Sequence, residues 1–105
     1  MRRGEFWWAR LPPPVGRRPV LLVSRDEAYL VRRLVTVAPV TTRVRGIPAE
    51  LSLDHRDGLP KRCAANFDSL TTIPKSALEG RIARLSSKKR ELADAALRFA
   101  LGLDE

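Results

Sequence analysis

Two consecutive arginines, Arg17 and Arg18, follow a turn of prolines and glycine and precede an apolar run in PPPVGRRPVLLVS, residues 12–24. A guanidinium presents its N–H groups in a planar fork that matches the oxygens of a phosphate. At the start of a strand such a group has a rigid support, so it can hold a phosphate or stabilise the charge that develops when a phosphate reacts. The alternative is an arginine that only forms a salt bridge at the rim of the sheet.

Hydroxyl and guanidinium groups occur close together in TTRVR, residues 41–45. Thr41 and Thr42 can donate hydrogen bonds to a phosphate, although threonine is also common in strands because its branched side chain packs well there. Arg43 and Arg45 either follow a nucleic-acid backbone or are solvated charges of a loop. The residue types alone leave both interpretations open.

The basic residues are concentrated in the first half of the chain. Residues 1–45 contain ten Arg and three acids, a balance of +7, whereas residues 46–105 contain ten Lys or Arg and nine acids. Arginine accounts for ten of the basic residues in the first part and six in the second, and the net charge is +8. This distribution indicates a polyanionic partner, most commonly RNA or DNA, with a merely solvated basic surface as the alternative.

A single cysteine, Cys63, and a single histidine, His55, exclude several kinds of site. One chain cannot form an internal disulfide, a zinc site of Cys/His type or a pair of catalytic histidines. We expect no metal or other cofactor, and we expect Cys63 to be a small buried hydrophobe, while His55 is the one histidine that could act as a base. The opening MRRGEFWWARL has too few apolar residues for a signal peptide and no run is long enough for a membrane span, so we expect a cytoplasmic protein.

Alternating and β-branched runs predict five short strands. They cover residues 5–11, 18–24, 34–40, 49–53 and 61–67. Between and after them, three segments are less regular: a loop or short helical turn at 25–33, a possible helix start at a proline within 73–80, and a short strand or connector at 81–85. In the first strand, Trp7 and Trp8 must point to opposite faces.

The end of the chain has the clearest pattern. Ser86 or Ser87 can cap a helix that begins at Lys88. One apolar stripe follows at helical spacing and consists of Leu92, Ala95, Ala96, Phe99, Ala100 and Leu103. We expect this stripe to pack into the core, although its small residues also suit contact with another protein. Five strands and a final helix predict a single domain, residues 1–105, that is mainly β with helices and forms a small, strongly bent sheet or barrel.

Four segments of the chain match one known pattern in order and spacing. The segments are RGEFW at 3–7 with Leu11, Pro13, Gly16 and RPVLLVS at 18–24; VAPVTT at 37–42; DGLPKRCAANFDSLTTI at 57–73; and GRIARLS at 80–86 followed by the helix. Together they resemble the MazF/PemK-type toxins. The resemblance implies an SH3-like (CcdB/MazF-type) small β-barrel of about five antiparallel strands with a C-terminal α-helix.

The same resemblance implies a function. Members of this family are the toxins of type II toxin–antitoxin systems, sequence-specific and metal-independent endoribonucleases that cleave single-stranded RNA and so inhibit translation and growth. They act as homodimers, and we expect a MazE-like antitoxin with an acidic segment to block the basic groove. Two alternatives remain: a CcdB-like toxin that inhibits DNA gyrase on the same fold, and a non-catalytic RNA-binding module. The first of these needs an apolar or aromatic contact on the final helix, where this chain ends in two acids.

The resemblance also implies which residues act. The family's catalytic arginine, which precedes an apolar strand, falls on Arg18, and its catalytic threonine, after the third strand, falls on Thr41. These two would hold the phosphate oxygens while the ribose 2′-hydroxyl attacks, giving a cyclic phosphate and a free 5′-hydroxyl. Contacts with the RNA are expected from Arg10, Arg17, Thr42, Arg43 and Ser69.

The loop between the first two strands departs from the family pattern. It is short, Pro12 replaces an aspartate, and the acidic loop residue to which a helper role is sometimes assigned has no match. In the third segment Ser69 stands where a glutamine often reads a base and Thr71 stands where an arginine is usual, whereas Asp68 keeps the acidic position. We therefore expect a changed cut-site specificity, and fewer RNA contacts from the short loop.

Overall fold

Residues 1–104 are described by a computed structural model as an antiparallel sheet of seven strands with two α-helices. The strands are β1 Glu5–Arg10, β2 Arg17–Leu22, β3 Leu34–Thr41, β4 Glu50–Leu53, β5 Cys63–Asn66, β6 Thr71–Pro74 and β7 Leu78–Arg84. The helices are α1 Ala28–Val31 and α2 Ser87–Leu101. Short 3-10 turns cover His55–Asp57, Phe67–Ser69 and Lys75–Ala77.

Strand β3 is the centre of the sheet, whose order is β4-β5-β3-β2-β1-β7. One edge of β3 pairs with β2, while the other edge pairs with β6 along its first half and with β5 at Val40 and Thr41. In the β2–β3 pair, Val20 lies opposite Pro39. The same antiparallel register, continued by two residues, brings Arg18 opposite Thr41. The start of β2 and the end of β3 therefore lie side by side in the sheet.

Alternate residues of β2 face two separate cores. Leu21 belongs to a cluster that α2 covers, and its neighbours Val20 and Leu22 belong to a second cluster on the opposite face, with Tyr29 of α1. All three β2 residues are buried. Because both faces of the sheet are packed, the backbone of β2 is held rigidly up to the point where its first residues emerge.

The five predicted strands are all present, with ends that differ by one or two residues from the expected ones. The sheet has seven strands where about five were expected, because residues 71–84 form β6 and β7. The second of these contains most of the segment 81–85, which was expected to be a short strand or a connector. The β-branched run from Thr71 to Ile73 pairs with β3, and the helix-start signal of Pro74 produces only the short 3-10 turn Lys75–Ala77. The expected class, a mainly β SH3-like barrel with a C-terminal helix, is confirmed.

Helix α2 begins within one residue of the predicted start, with Ser86 as its cap, and it ends two residues before Leu103, the last residue of the predicted stripe. The Ser86 hydroxyl accepts a hydrogen bond from the Lys89 N–H at 3.2 Å, which satisfies a free amide of the first turn. Gly102 ends the helix at φ 68°, in the left-handed region that favours glycine. None of the helices formed by residues 1–104 is long and apolar enough to cross a membrane.

The face that α2 buries matches the predicted stripe only in part. Ala96 of the stripe is buried beside Ala93, and Ala100 packs against the same core cluster. Leu92 and Phe99 are 48% and 56% exposed, and Leu103, at 65%, lies beyond the end of the helix. The prediction that the stripe packs into the core is therefore wrong for its large members. The two alanines allow the helix to approach the sheet closely, and Leu92 and Phe99 lie beside the contact, in a groove of about 410 Å³ shared with β4.

Trp7 and Trp8 point to opposite faces of β1, as predicted. Trp7 packs against the second core cluster. The ring of Trp8 lies under the guanidinium of Arg17, whose Cζ is 4.2 Å from the ring centroid. Cys63 is 3% exposed, which confirms it as a buried hydrophobe, and burial raises the pKa of its thiol.

Gly58 is the glycine for which the structure leaves least room. It follows the His55–Asp57 turn at φ 90°, and a Cβ built there would lie 2.6 Å from the Cβ of Ala83. We expect Gly58→Ala to lower the free energy of unfolding by about 2–4 kcal/mol, because left-handed backbone and overpacking both oppose it. Gly16→Ala, at φ 69° with no atom within 4 Å, should lower it by only about 1–2 kcal/mol. Urea unfolding measures both, and equal losses would show that the contact with Ala83 has no effect.

Candidate functional site

A pocket of about 170 Å³ opens where β2 begins and β3 ends. The two strands form its floor, and the 42–49 loop, the start of β4 and the end of β5 with its following turn form its sides. The lining residues are Arg18, Pro39, Thr41, Arg43, Arg45, Glu50, Asn66 and Ser69. Five of the residues singled out from the sequence therefore lie in one place, namely Arg18, Thr41, Arg43, Arg45 and Ser69.

Arg18 enters the pocket from a strand that the core anchors. Val20, two residues further on the same face, is fully buried and holds the backbone in place. The Nε atom of Arg18 is buried and has no hydrogen-bond partner among residues 1–104, nor does any acidic side chain in that range form a salt bridge with Arg18. A buried donor without an acceptor costs about 1–3 kcal/mol. The Nε–H group can therefore donate to an oxygen atom of a ligand in the pocket.

The hydroxyl of Thr41 is fixed by the chain that follows it. Its Oγ1 accepts a hydrogen bond from the backbone N–H of Arg43 at 3.0 Å. A hydroxyl has one hydrogen to donate in addition to its acceptor positions, so this contact leaves the O–H free to point at a ligand. Thr41 thus offers the pocket a donor whose oxygen already has a fixed position.

Glu50, the first residue of β4, holds the 42–49 loop against the pocket. Its Oε1 accepts hydrogen bonds from the backbone N–H groups of Arg45 at 2.9 Å and Gly46 at 3.1 Å. Gly46 has a φ of 70°, a conformation that glycine adopts readily and that turns the chain at this point. The contact fixes the loop backbone that carries Arg43 and Arg45, two of the lining residues.

Another wall comes from Asn66, at the end of β5, and the turn after it. The Nδ2 of Asn66 donates to Ser69 Oγ at 3.2 Å, and the Oδ1 of Asn66 accepts from the N–H of Asp68 at 2.9 Å. Thr71 Oγ1 donates to the carbonyl of Ser69 at 2.9 Å. Asn66 and Ser69 therefore present polar atoms from a turn that is tied together by its own side chains.

The pocket is positively charged. Three guanidiniums, those of Arg18, Arg43 and Arg45, line it with one carboxylate, that of Glu50, so that three minus one leaves a formal charge of +2. Guanidiniums bind phosphate oxygens through short, charge-assisted hydrogen bonds. With a hydroxyl donor beside them, they can bind an oxyanion and stabilise further negative charge as it develops.

Arg10, Arg17 and Thr42 lie outside this lining. Successive residues of a strand face opposite sides, so Arg17 lies on the other face of β2 from Arg18. The Nε atoms of Arg10 and Arg17 donate to the two carboxylate oxygens of Glu79, at 2.9 and 3.1 Å. Thr42 is exposed at the start of the loop. For all three, a contact with a ligand stays a prediction.

His55 is exposed in the turn after β4 and does not line the pocket. Within residues 1–104, no group of three or more His, Cys, Asp or Glu side chains is arranged to hold a metal ion. The groups that can act on a ligand in the pocket are therefore guanidiniums, hydroxyls, a carboxamide and a carboxylate.

Sequence reasoning did not identify Pro39, Glu50 and Asn66 as site residues. Glu50 and Asn66 are direct partners in the β4–β5 pair, and β5 lies beside the end of β3. Which strands lie side by side depends on the order of the strands in the sheet, and short sequence patterns do not show this order. The one local signal was Asn66 followed two residues later by Asp68, a spacing typical of side chains that cap a turn.

Comparison with known proteins points to one family. Residues 2–101 match the family model described as PemK-like, MazF-like toxin of type II toxin–antitoxin system. The chain is 41% identical over 104 residues to the probable endoribonuclease MazF2 of Mycobacterium tuberculosis (strain CDC 1551 / Oshkosh), across 97% of this chain and 99% of the relative.

Solved structures agree with the sequence match. The Mycobacterium tuberculosis toxin MazF-mt6 superposes with a TM-score of 0.88 at 32% identity, covering 96% of this chain and 99% of that one. An endoribonuclease in complex with its cognate antitoxin, from a mycobacterial species, superposes with a TM-score of 0.86 at 25% identity, covering 98% of this chain and 96% of that one. The similarity therefore includes the strands that build the pocket.

Proposed function

Because the chain belongs to the PemK-like, MazF-like toxins of type II toxin–antitoxin systems and is an endoribonuclease, we propose that it cleaves single-stranded RNA in the pocket between β2 and β3. The observation that carries this proposal is the buried Nε of Arg18, which has no partner among the described residues and shares the pocket with the Thr41 hydroxyl. A pocket of charge +2 with these donors suits a phosphate group of RNA.

The reaction takes its nucleophile from the RNA. The ribose 2′-oxygen forms a bond to the adjacent phosphorus, and the bond from that phosphorus to the 5′-oxygen of the next nucleotide breaks. The 2′-hydroxyl loses a proton and the 5′-oxygen gains one, so the products are a 2′,3′-cyclic phosphate and a free 5′-hydroxyl. Extra negative charge on the non-bridging oxygens is stabilised by N–H groups of Arg18 and the O–H of Thr41, and no metal ion is required for this role.

The remaining predicted residues bind the strand around the cleaved phosphate. Arg43 and Ser69 contact the RNA within the pocket, and Thr42, Arg17 and Arg10 add contacts outside it. A serine hydroxyl reaches less far than the glutamine that the family often has at the position of Ser69. The preferred cut sequence therefore differs from that of members with the glutamine.

The chain acts in the cytoplasm as one toxin domain, residues 1–105, within a homodimer. The groove between α2 and β4 supports this pairing, because Leu92 and Phe99 leave large apolar surfaces in water there. A MazE-like antitoxin with an acidic segment neutralises the toxin, since carboxylates are complementary to the +2 pocket and can take the place of RNA phosphates.

The direct test is cleavage of a mixed-sequence single-stranded RNA by the purified protein in EDTA. We expect discrete fragments that end in a cyclic phosphate and begin with a 5′-hydroxyl. Loss of cleavage in EDTA would contradict the metal-independent mechanism. A folded protein that binds RNA but cuts none, including ribosomal and transfer RNA, would favour the non-catalytic RNA-binding module instead.

Glu50→Ala should weaken RNA binding more than it slows the chemical step. Without the carboxylate, the N–H groups of Arg45 and Gly46 lose their acceptor, and the loop no longer holds Arg43 at the pocket. We expect KM for a short RNA to rise about tenfold, since hydrogen bonds to a charged group are worth about 1.5–3 kcal/mol, with a smaller change in kcat.

The matched control for the loop contact is Glu50→Gln. Its amide oxygen can still accept the two backbone hydrogen bonds, so KM should stay close to that of the wild type. A large fall in kcat in both Glu50 variants would contradict a positioning role and indicate a carboxylate that takes part in proton transfer.

A further inference from the structure

A second arginine pair lies outside the cleavage pocket and is bridged by an acid of the same chain. Arg10, at the end of β1, and Arg17, at the start of β2, are direct cross-strand partners, so their side chains lie on one face of the sheet. Glu79 accepts from Arg10 Nε at 2.9 Å through Oε2 and from Arg17 Nε at 3.1 Å through Oε1. One carboxylate thus separates two cations that would otherwise repel each other.

Glu79 reaches the pair from a bulge in β7. Between the pairs Trp8–Gly80 and Ala9–Leu78, β7 has one residue more than β1, and the extra residue is Glu79. Bulges redirect a side chain and are frequent beside functional sites. Hydrogen bonds from the two arginines hold the pKa of Glu79 below its ordinary value, so the carboxylate is charged at neutral pH.

The arginine pair retains the capacity to bind another anion. Glu79 occupies only the Nε atoms, and the terminal nitrogens of both guanidiniums have no partner in the described part of the chain. The side chains of Arg10 and Arg17 are 68% and 49% exposed. The Arg17 guanidinium also lies over the Trp8 ring, and two cations against one acid leave a formal charge of +1.

An RNA phosphate fits this surface better than a protein segment does. Protein interfaces bury apolar and aromatic side chains at their centre. In the neighbouring 11–16 turn, the exposed large apolar side chain is that of Val15, at 44%, and the face of Trp8 is already covered by Arg17. Arg17 and Arg18 lie on opposite faces at the start of β2, so one RNA strand reaches both arginine sites by crossing this end of the strand.

We propose that Arg10 and Arg17 form a second phosphate-binding site for the RNA strand cleaved at Arg18, and that Glu79 competes with the RNA for this site. The inference rests on the proposed cleavage of RNA. When the strand binds, one of its phosphates replaces the carboxylate between the two guanidiniums. Glu79 thereby lowers the affinity of the toxin for RNA.

The test measures the affinity of the full chain for a short RNA with methylated 2′-hydroxyls, which cannot be cleaved. We expect Glu79→Gln to bind it about fivefold more tightly at low salt. The plot of log affinity against log salt concentration should become steeper by about 0.7, because without the Glu79 carboxylate the site has one more net positive charge to neutralise the single strand. In an Arg10→Ala/Arg17→Ala background, Glu79→Gln should change neither quantity, because the site is gone.

The matched control is Glu91→Gln, which removes the same charge from the exposed surface of α2. The inference is overturned if Glu79→Gln binds RNA no more tightly than Glu91→Gln, or if its gain persists without the two arginines. A gain for a poly-glutamate peptide without a gain for RNA would overturn it in favour of a protein-binding surface.

Cleavage of unmodified RNA by the wild type distinguishes failure of the second phosphate site from failure of the proposed endoribonuclease function. If the wild type cleaves RNA but Glu79→Gln has no effect on binding, only the second phosphate site fails. If the folded wild type cleaves no RNA, the proposed function fails and the second site fails with it.

Discussion

Replacing Arg18 by alanine is expected to lower the rate constant of RNA cleavage by about 100- to 1,000-fold. The guanidinium donates to the non-bridging oxygens as charge develops on them, and its buried Nε has no other partner within residues 1–104. Binding should fall much less, because Arg43 and Arg45 still line the pocket. The measurement is the single-turnover rate constant at saturating RNA, together with the Kd for a non-cleavable RNA.

Two further variants separate the shape of the Arg18 side chain from its charge. Arg18→Lys keeps the charge but loses the planar fork, so it should recover only a small part of the rate. Arg25→Ala removes an exposed arginine before α1 and should cleave like the wild type. If Arg18→Ala and Arg25→Ala cleaved equally well, Arg18 would be a residue of the sheet rim with no part in the reaction.

Thr41→Val is expected to lower the cleavage rate constant by about 100-fold. Valine has nearly the same shape but cannot donate a hydrogen bond to the phosphate. The change also removes the acceptor for the Arg43 N–H, which should lower the free energy of unfolding by about 1 kcal/mol. Urea unfolding therefore accompanies the single-turnover rate measurement, to show that the variant is folded when it is assayed.

The hydroxyl group, rather than the size of the side chain, is tested by Thr41→Ser. Serine keeps the donor and should retain a rate close to that of the wild type. Thr42→Val, one residue further and outside the lining of the pocket, should act mainly on binding. A Thr41→Ser variant as slow as Thr41→Val would show that the methyl group matters and that the donor role is wrong.

Strands β1 to β5 were predictable because each contains an apolar or β-branched run, and all of them except β3 have Pro, Gly or Asp close to their ends. The last two strands have no such boundary. Pro74 interrupts the run, and Glu79, Arg81 and Arg84 break the apolar pattern of β7. These segments are strands because β3 and β1 offer free edges to pair with, and that is a tertiary property.

The pattern of α2 predicted a helix correctly, but only the small residues Ala96 and Ala100 of the predicted stripe pack into the core. Any face with apolar residues at helical spacing looks like a core face when only the sequence is read. The sheet beneath the helix leaves room for Ala93 and Ala96, and the larger Leu92 and Phe99 remain exposed beside them. The size of that space is set by the partner strands and is not visible in the helix sequence.

The candidate site followed from the sequence only in part. Charge and residue type pointed to a phosphate, but Arg18 and Thr41 were singled out through the family resemblance. Their proximity follows from the β2–β3 register. The strand predicted at residues 18–24 leaves Arg17 just outside it, whereas Arg17 is the first residue of β2 and faces away from Arg18, towards Glu79. Glu50 could be identified as a site residue only from the path of the 42–49 loop, and the sequence of this loop has no regular pattern.

Joint action of Arg18 and Thr41 on one phosphate can be measured by the single-turnover rate constant of the double variant Arg18→Ala/Thr41→Val. Residues that act as a unit have non-additive effects. We expect the double variant to cleave at nearly the rate of the slower single variant. Losses that multiply fully would show instead that the two residues act independently.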